Sequence, residues 1–264
     1  MQRSPNTSKW YDRLWAAFIF FTRLPFWRVY QPPQGAYNSV VEWWPLTGWL
    51  TGGAMAAVLY LGTQLSIMNY ELCIILAIII RMLITGALHE DGLADFFDGF
   101  GGGGTNRERI LTIMKDSHIG TYGVLSLILY LALLYLCLQS MTPTMAAMTV
   151  LVADPFAKML SASITQLMPY ARNEETSKAH TVYRRMSIPA ALLLAAQGLL
   201  PLGIYILMYR DFIHCELLLL VPCITIILLY RLIKHRLQGY TGDCCGACCL
   251  LVELSIYLSY SISL

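Results

Sequence analysis

The chain has 264 residues, of which 57% are hydrophobic and only 13% are charged. Water-soluble domains carry about 25% charged residues, so this composition excludes an ordinary soluble globular protein. The formal net charge of +2 does not indicate a nucleic-acid partner. Several runs of about 20 residues are almost free of charge, which is the length that crosses a bilayer. The composition therefore predicts an all-α protein, a polytopic bundle of helices in a lipid bilayer.

The first predicted element is the apolar segment at 10–27, WYDRLWAAFIFFTRLPFW. Arg13 and Arg23 interrupt this segment, and Pro25 ends it. Tryptophan and arginine flanks are typical of a helix that lies in the headgroup region of a membrane. We therefore expect an interfacial helix at 10–27, ahead of the membrane-spanning part of the chain.

Seven candidate spans follow, at about 46–66, 72–89, 119–138, 145–168, 188–208, 214–233 and 245–264. The first of them contains several glycines, and small residues let helices approach closely in lipid. We expect residues 1–264 to form a single membrane domain, with the transmembrane bundle over 46–264.

Lysine and arginine are distributed unevenly between the two ends of these spans. If the N-terminus lies in the cytoplasm and the spans alternate, nearly all basic residues outside them fall on the cytoplasmic side, which is the positive-inside pattern. The same alternation puts the polar segments at 89–99, 115–120, 169–187 and 241–243 on one face. We therefore expect an active site on the cytoplasmic side.

The second span ends in HEDGLADFFDG, residues 89–99, which holds four carboxylates. If the helix continues through this stretch, Asp91, Asp95 and Asp98 share one face at i, i+4 and i+7. Clustered carboxylates need a cation, and oxygen ligands suit Mg²⁺, with Mn²⁺ as an alternative. A solvated helix end with ordinary surface acids is the other interpretation, but the acids here alternate with phenylalanine and leucine. Gly92 would let a bulky substrate approach the backbone.

A second polar segment is RERILTIMKDSHIGTYG, residues 107–123. Arg109, Lys115 and His118 offer cationic donors for phosphate oxygens. Asp116, next to Ser117, is either a further metal ligand or a group that orients the nucleophile. The alternative is an interfacial helix whose basic side chains reach toward lipid headgroups.

The third segment is GYTGDCCGACC, residues 239–249, at the start of the last span. Asp243 lies at the cytoplasmic edge, beside Gly242, which permits close approach. The doublet CCxxCC is compatible with zinc, but the thiols enter an apolar span and more simply pack as small residues. Within the spans, Asp154 and Lys158 are expected to neutralise each other, although ionisable groups there are functional candidates by default.

In order along the chain, these blocks resemble the cobalamin synthase family, the adenosylcobinamide-GDP ribazoletransferases. The resemblance lies in FFTRLPF, WPLTGWLTGG, GALHEDGLADFFDGF, RERILTIMKDSHIGTYG, PYAR and GYTGDCCGA, and runs from about residue 18 to 250. It implies a Mg²⁺-dependent enzyme of the bacterial inner membrane. That enzyme joins adenosylcobinamide-GDP to α-ribazole, or to its 5′-phosphate, and releases GMP in a late step of adenosylcobalamin synthesis.

With this resemblance, the ribazole 3′-hydroxyl is expected to attack the phosphate that bears the corrinoid side chain. His89 or Asp116 is the expected proton acceptor, since an ordinary histidine titrates near neutrality. Glu90 stands where the family more often has an apolar residue, and is either an extra ligand or merely exposed. The predicted catalytic residues are His89, Lys115, Asp116 and Asp243; the metal ligands are Asp91, Asp95, Asp98 and Glu90; the substrate-binding residues are Arg109, Ser117, His118, Arg172, Gly92 and Gly242.

Two other functions remain open from the residues alone. A CDP-alcohol phosphotransferase also places aspartates along membrane helices, although in a different order. A transporter of ions or metabolites would carry its ionisable residues near the midplane, whereas only Arg81, Asp154, Lys158 and Glu253 lie deep here. The sequence is compatible with a homo-oligomer and with contacts to other enzymes of cobalamin assembly.

Overall fold

The computed structural model describes residues 8–172, 183–209 and 215–262, and these residues are almost entirely helical. The helices are α1 (Trp10–Phe21), α2 (Trp44–Gln64), α3 (Tyr70–Thr85), α4 (Leu88–Gly102), α5 (Arg107–Lys115), α6 (Thr121–Gln139), α7 (Pro143–Ala162), α8 (Ile164–Leu167), α9 (Ile188–Tyr209), α10 (Cys215–Leu237) and α11 (Gly242–Ile262). Runs of 3-10 turns at Phe26–Arg28 and Gln34–Trp43 join α1 to α2. Across the described residues the extended pairing is limited to one bridge between Tyr170 and Tyr240. The predicted all-α class is confirmed.

In the described part of the chain, five helical segments are long and apolar enough to cross a membrane, or six if the bent pair α3–α4 counts as one span. They are α6, α7 together with α8, α9, α10 and α11. The predicted count of seven is thus approximate. The predicted first span forms α2, which has 21 residues but is not among these five segments.

Helices α7 and α11 form the centre of the bundle. Most of their side chains are buried, whereas α6, α9 and α10 expose apolar side chains along their outer faces. Helix α2 packs closely on α7 because it carries glycine at the contact: a Cβ on Gly48 would lie 2.8 Å from the Pro155 nitrogen. The glycines of the predicted first span therefore serve helix packing, as expected for small residues in membrane bundles.

The chain turns sharply between α3 and α4. Gly86 and Ala87 both adopt left-handed backbone angles, with φ of 65° and 56°, and α4 leaves α3 at 89°. Left-handed residues of this kind end helices. The expectation that the second span continues as one helix through the acidic stretch is therefore wrong: His89 and the acids that follow belong to a separate helix.

Two sets of charged residues are buried among the helices. Arg81 on α3 donates to Glu253 on α11, with Nη1–Oε2 at 2.9 Å, and to Glu90 on α4, with Nη2–Oε1 at 3.2 Å. Asp154 and Lys158 on α7 pair with each other, which confirms the predicted neutralisation. Because a lone buried charge is costly, the two ion pairs of Arg81 tie α3, α4 and α11 into one unit.

Candidate active site

Two adjoining cavities lie at one end of the bundle, and every predicted polar segment reaches at least one of them. The first, called here the aromatic cavity, has a volume of about 160 Å³. The second, called the open groove, runs beside α5 and has a volume of about 670 Å³. Arg172 lines both, so the two cavities share a wall. These lining residues include members of all four segments predicted to share one face, at 89–99, 115–120, 169–187 and 241–243. Residues 173–182 of the third segment lie outside the described residues.

The aromatic cavity has a buried apolar interior and a polar mouth. Its interior includes Phe21, Trp44 and His89, which are 4%, 2% and 4% exposed. Asp91 and Gly242 are exposed, and Asp243, Arg172 and Tyr183 are half-buried. A ligand that enters would therefore pass two carboxylates and one guanidinium before it meets aromatic rings.

Aromatic rings in this cavity are stacked in a row. Phe21 and Trp44 are parallel within 10°, with ring centroids 5.0 Å apart. Trp44 and His89 are parallel within 11°, with centroids 5.8 Å apart. Tyr183 stacks separately on Tyr240 at 6.3 Å. These contacts hold the ring of His89 in one plane, which suits a side chain that must meet a substrate in a defined orientation.

Asp91 and Asp243 reach the same cavity because α4 and α11 cross at a glycine. A Cβ on Gly92 would lie 3.1 Å from the Asp243 carbonyl oxygen and 3.2 Å from its Cα. Gly92 was predicted to leave room for a substrate. In the structure it leaves room for the backbone of α11. This contact brings Asp91, which precedes Gly92, to the same cavity as Asp243 at the start of α11.

Asp98 has a different environment from the one predicted. Its Oδ2 accepts a hydrogen bond from the Gly120 nitrogen at 2.6 Å, and its Oδ1 accepts one from the Gly123 nitrogen at 2.8 Å. These donors are unpaired N–H groups at the start of α6, where a negative charge is also favourable. Asp98 is 7% exposed. Asp98 is therefore a buried cap of α6, and its metal role, shared with Asp91 and Asp95, stays a prediction.

Glu90 also has a protein partner. It is 3% exposed and pairs with Arg81, so the exposed-acid alternative is wrong, and its role as an extra ligand stays a prediction. Across the described ranges, no three histidine, cysteine, aspartate or glutamate side chains are grouped so that they could hold a metal ion. Asp95, half-buried on α4, keeps its predicted metal role only as a prediction.

The open groove brings together residues of α5 and of the segment before α9. It is lined by Arg107, Glu108, Leu111, Thr112, Lys115, Asp116, Ala171 and Arg172. Arg107 donates to the carbonyls of Leu237 and Ala171, each at 2.7 Å, and Arg172 donates to the Leu111 carbonyl at 3.1 Å. These bonds fix the two guanidinium groups on a surface that has more basic than acidic side chains.

The turn after α5 orders Asp116. Its Oδ1 accepts hydrogen bonds from the His118 nitrogen at 3.0 Å and pairs with His118 Nδ1 at 2.7 Å. These bonds, first from the backbone and then from the ring, lower the pKa of the Asp116 carboxyl below its ordinary value. Arg109, Ser117 and His118 are exposed and do not line either cavity, so their predicted substrate contacts stay predictions.

The four cysteines of α11 are packing residues. Cys244, Cys245, Cys248 and Cys249 are all free and buried, and they belong to no group of metal-binding side chains in the described part of the chain. The packing interpretation therefore agrees with the structure, and the zinc alternative has no support.

Sequence reasoning missed the aromatic part of the site. Trp44, Phe21 and Tyr183 come from three distant segments, and each resembles an ordinary interfacial aromatic in its own segment. Phe21 and Trp44 lie in the segments FFTRLPF and WPLTG. These segments supported the family resemblance but were not predicted to contact a ligand.

Comparison with known proteins gives a consistent result. The family model described as cobalamin-5-phosphate synthase matches residues 13–261. A protein of Shewanella baltica strain OS155 named adenosylcobinamide-GDP ribazoletransferase is 34% identical over 260 residues, 97% of this chain and 96% of its own length. Proteins with the same name from Leptospira interrogans and Shewanella frigidimarina are 33% and 35% identical, over 96% and 95% of this chain and 96% and 98% of their own lengths. No solved structure matches the chain.

Proposed function

The chain belongs to the cobalamin-5-phosphate synthase family, and on this premise we propose that it joins adenosylcobinamide-GDP to α-ribazole, or to the 5′-phosphate of α-ribazole, and releases GMP. It is an enzyme, a transferase of cobalamin synthesis. Its dependence on Mg²⁺, its acceptance of the phosphorylated acceptor, and its place in the bacterial inner membrane are further parts of the proposal.

One observation carries the proposal: carboxylates, an imidazole and a guanidinium from three segments line one cavity. Asp91 and His89 come from α4, Asp243 from α11, and Arg172 from the segment that continues into the open groove. Transfer between two substrates needs two adjoining binding regions and a place where they meet. Arg172, which lines both cavities, marks that place.

The carboxylates of Asp91 and Asp243 fit a divalent cation. Mg²⁺ is usually bound by one or two carboxylates together with substrate phosphates, without a cage of protein ligands. This agrees with the finding that the described residues have no group of three ligands. Asp91 and Asp243 would hold the ion, with Asp95 as a third candidate, and Mn²⁺ suits the same oxygens. A bound cation would neutralise the diphosphate and polarise its phosphorus.

The reaction would exchange the phosphoanhydride bond of the donor for a phosphate ester bond to the acceptor. The ribazole 3′-hydroxyl oxygen attacks the phosphorus that bears the corrinoid side chain, and the bond from this phosphorus to the bridging oxygen breaks. GMP leaves with the bridging oxygen, and the hydroxyl proton passes to His89 or Asp116. His89 is favoured because it lines the cavity with an Nε2 that has no hydrogen-bond partner among the described residues. Lys115, Arg172 and Arg109 would hold phosphate oxygens.

The site end of the bundle would face the cytoplasm. Lysine and arginine outside the spans are concentrated on this side, which is the positive-inside pattern. The open groove, with its basic side chains, would then be open to phosphorylated substrates from the cytoplasm.

Release of GMP by the purified, detergent-solubilised protein tests the proposal. We expect release from adenosylcobinamide-GDP plus α-ribazole with Mg²⁺ and almost none after chelation. Asp91→Asn should lose at least 100-fold of the rate, on the order of the loss seen when a group that stabilises transition-state charge is removed. Glu71→Gln, which alters an exposed acid at the far end of α3, is the matched control and should keep full activity.

Two results would contradict the proposal. One is the absence of GMP release from the folded wild-type protein with both substrates and Mg²⁺. The other is transfer from labelled CDP-diacylglycerol in place of adenosylcobinamide-GDP, which would indicate a phospholipid-type phosphotransferase. Uptake of substrate into sealed vesicles without GMP formation would instead indicate a transporter.

A further inference from the structure

Two buried nitrogen atoms in the aromatic cavity have no partner among the described residues. They are Nε1 of Trp44 and Nε2 of His89, on side chains that are 2% and 4% exposed. Most buried polar atoms in folded proteins are hydrogen-bonded. Two such atoms on stacked rings that line the same cavity therefore indicate a ligand with polar atoms of its own.

The charges of the two cavities differ in sign. Among the described residues that line it, the aromatic cavity has Asp91 and Asp243 against the guanidinium of Arg172. The open groove has two further basic side chains, Arg107 and Lys115, beside Arg172, against two acids. The open groove therefore attracts the phosphates of the donor toward the mouth where Asp91 and Asp243 would hold the cation, whereas an uncharged heteroaromatic ring suits the apolar interior behind them.

Size separates the substrates in the same way. The aromatic cavity is the smaller of the two, at about 160 Å³ against about 670 Å³ for the open groove, and buried rings bound it. Rings of this kind suit a flat heteroaromatic ring stacked beside them. A corrinoid macrocycle with its adenosyl group and side chains is several times larger than a nucleoside, and only an open surface can accommodate it.

We propose that the aromatic cavity binds the acceptor nucleoside, with its benzimidazole ring near Phe21 and Trp44 and its ribose toward Asp91 and Asp243. This assignment rests on the proposed function. Trp44 Nε1 can only donate a hydrogen bond, so it would meet the unsubstituted ring nitrogen or a ribose oxygen of the acceptor. The activated donor then approaches from the open groove, and the two substrates meet beside Arg172.

The substitution Trp44→Phe tests this assignment, because it keeps an aromatic ring against Phe21 and removes the N–H donor. We expect the KM for the acceptor nucleoside to rise about fivefold to tenfold, the equivalent of one lost hydrogen bond. The KM for the GDP-activated donor should not change. Trp43→Phe is the matched control: the same replacement one residue earlier, at a tryptophan that lines neither the aromatic cavity nor the groove.

Equilibrium binding tests the same assignment without any turnover of substrate. Binding of α-ribazole and of GMP to the purified protein is measured without the second substrate. Trp44→Phe should weaken α-ribazole binding and leave GMP binding unchanged. Weakened GMP binding would overturn the assignment in favour of the guanine base, and unchanged binding of both would overturn it altogether.

A second variant covers the case in which Trp44→Phe does not fold. Phe21→Leu removes one ring from the row without changing any polar atom, and it should weaken α-ribazole binding selectively as well. Equal loss for both ligands would contradict the assignment. Failure of the proposed function is distinct, because it shows as wild-type protein that forms no GMP, whatever the variants bind.

Discussion

The substitution Asp98→Asn separates a structural role from a metal-binding role for this carboxylate. In the structure both oxygens of Asp98 accept backbone hydrogen bonds from the start of α6. Asparagine has the same shape but offers one acceptor oxygen and one NH₂ group, which cannot accept from a backbone N–H. The substitution therefore removes the negative charge and leaves one buried donor unpaired.

The expected loss follows from the two bonds. A hydrogen bond to a charged group contributes about 1.5–3 kcal/mol. Alanine at position 98 would lose both, about 3–6 kcal/mol, and asparagine would lose one and weaken the other, about 2–4 kcal/mol. The steric fit around the carboxylate is tight, since a Cβ on Gly123 would lie 2.4 Å from Asp98 Oδ2. Gly123→Ala should therefore destabilise the protein without changing any carboxylate.

The assay combines two measurements on each variant. The free energy of unfolding is measured in mixed micelles by titration with sodium dodecyl sulfate, followed by tryptophan fluorescence. GMP release is measured on the same preparations. Asp91→Asn serves as the comparison: Asp91 is exposed at the cavity mouth, so it should change stability by less than about 0.5 kcal/mol while GMP release is lost.

If Asp98 caps α6, Asp98→Asn and Asp91→Asn should differ in opposite directions: the first loses stability, and the second loses GMP release. Asp98→Asn should lose stability, and its remaining folded fraction should keep measurable GMP release. If Asp98→Asn unfolds at the wild-type free energy yet releases no GMP, the reasoning from the α6 contacts is wrong and Asp98 acts in the chemistry.

Three further predictions concern other contacts. Arg81→Gln should destabilise the protein by about 3–5 kcal/mol, since it leaves two buried glutamates without their cation; unfolding in mixed micelles measures this, and a loss below 1 kcal/mol would contradict it. Replacing His118 by alanine removes the ring hydrogen bond that lowers the pKa of Asp116, so the pKa rises and Asp116 is protonated at a higher pH than in the wild type. If ionised Asp116 is needed, the acid limb of the pH–rate profile should move upward; an unmoved limb would exclude this role. Gly92→Ala should push α4 away from Asp243 and lower kcat more than it lowers stability, whereas equal losses would indicate a packing role alone.

The class of protein and the grouping of its polar segments follow from the sequence by itself. Long uncharged runs require a lipid environment, because no soluble core of this size could bury them. Alternation of the spans, together with the positions of lysine and arginine, then places Asp91, Arg172 and Asp243 at one end of the bundle. The structure confirms that these three side chains line one cavity. This inference succeeds because each span must cross the membrane, whatever its neighbours are.

Only the tertiary structure decides which side chains contact each other at the site end of the bundle. Two left-handed residues, Gly86 and Ala87, turn the acidic stretch into a separate helix. The spacing of the aspartates along it does not reveal that Asp98 faces the N–H groups of α6, a segment more than 20 residues away. Likewise Phe21, Trp44 and His89 form a stacked row only because three distant segments pack there. Periodicity reports which residues share a face of one helix, but the partner of a buried side chain depends on which segment packs against that face, and that choice is made by the whole bundle.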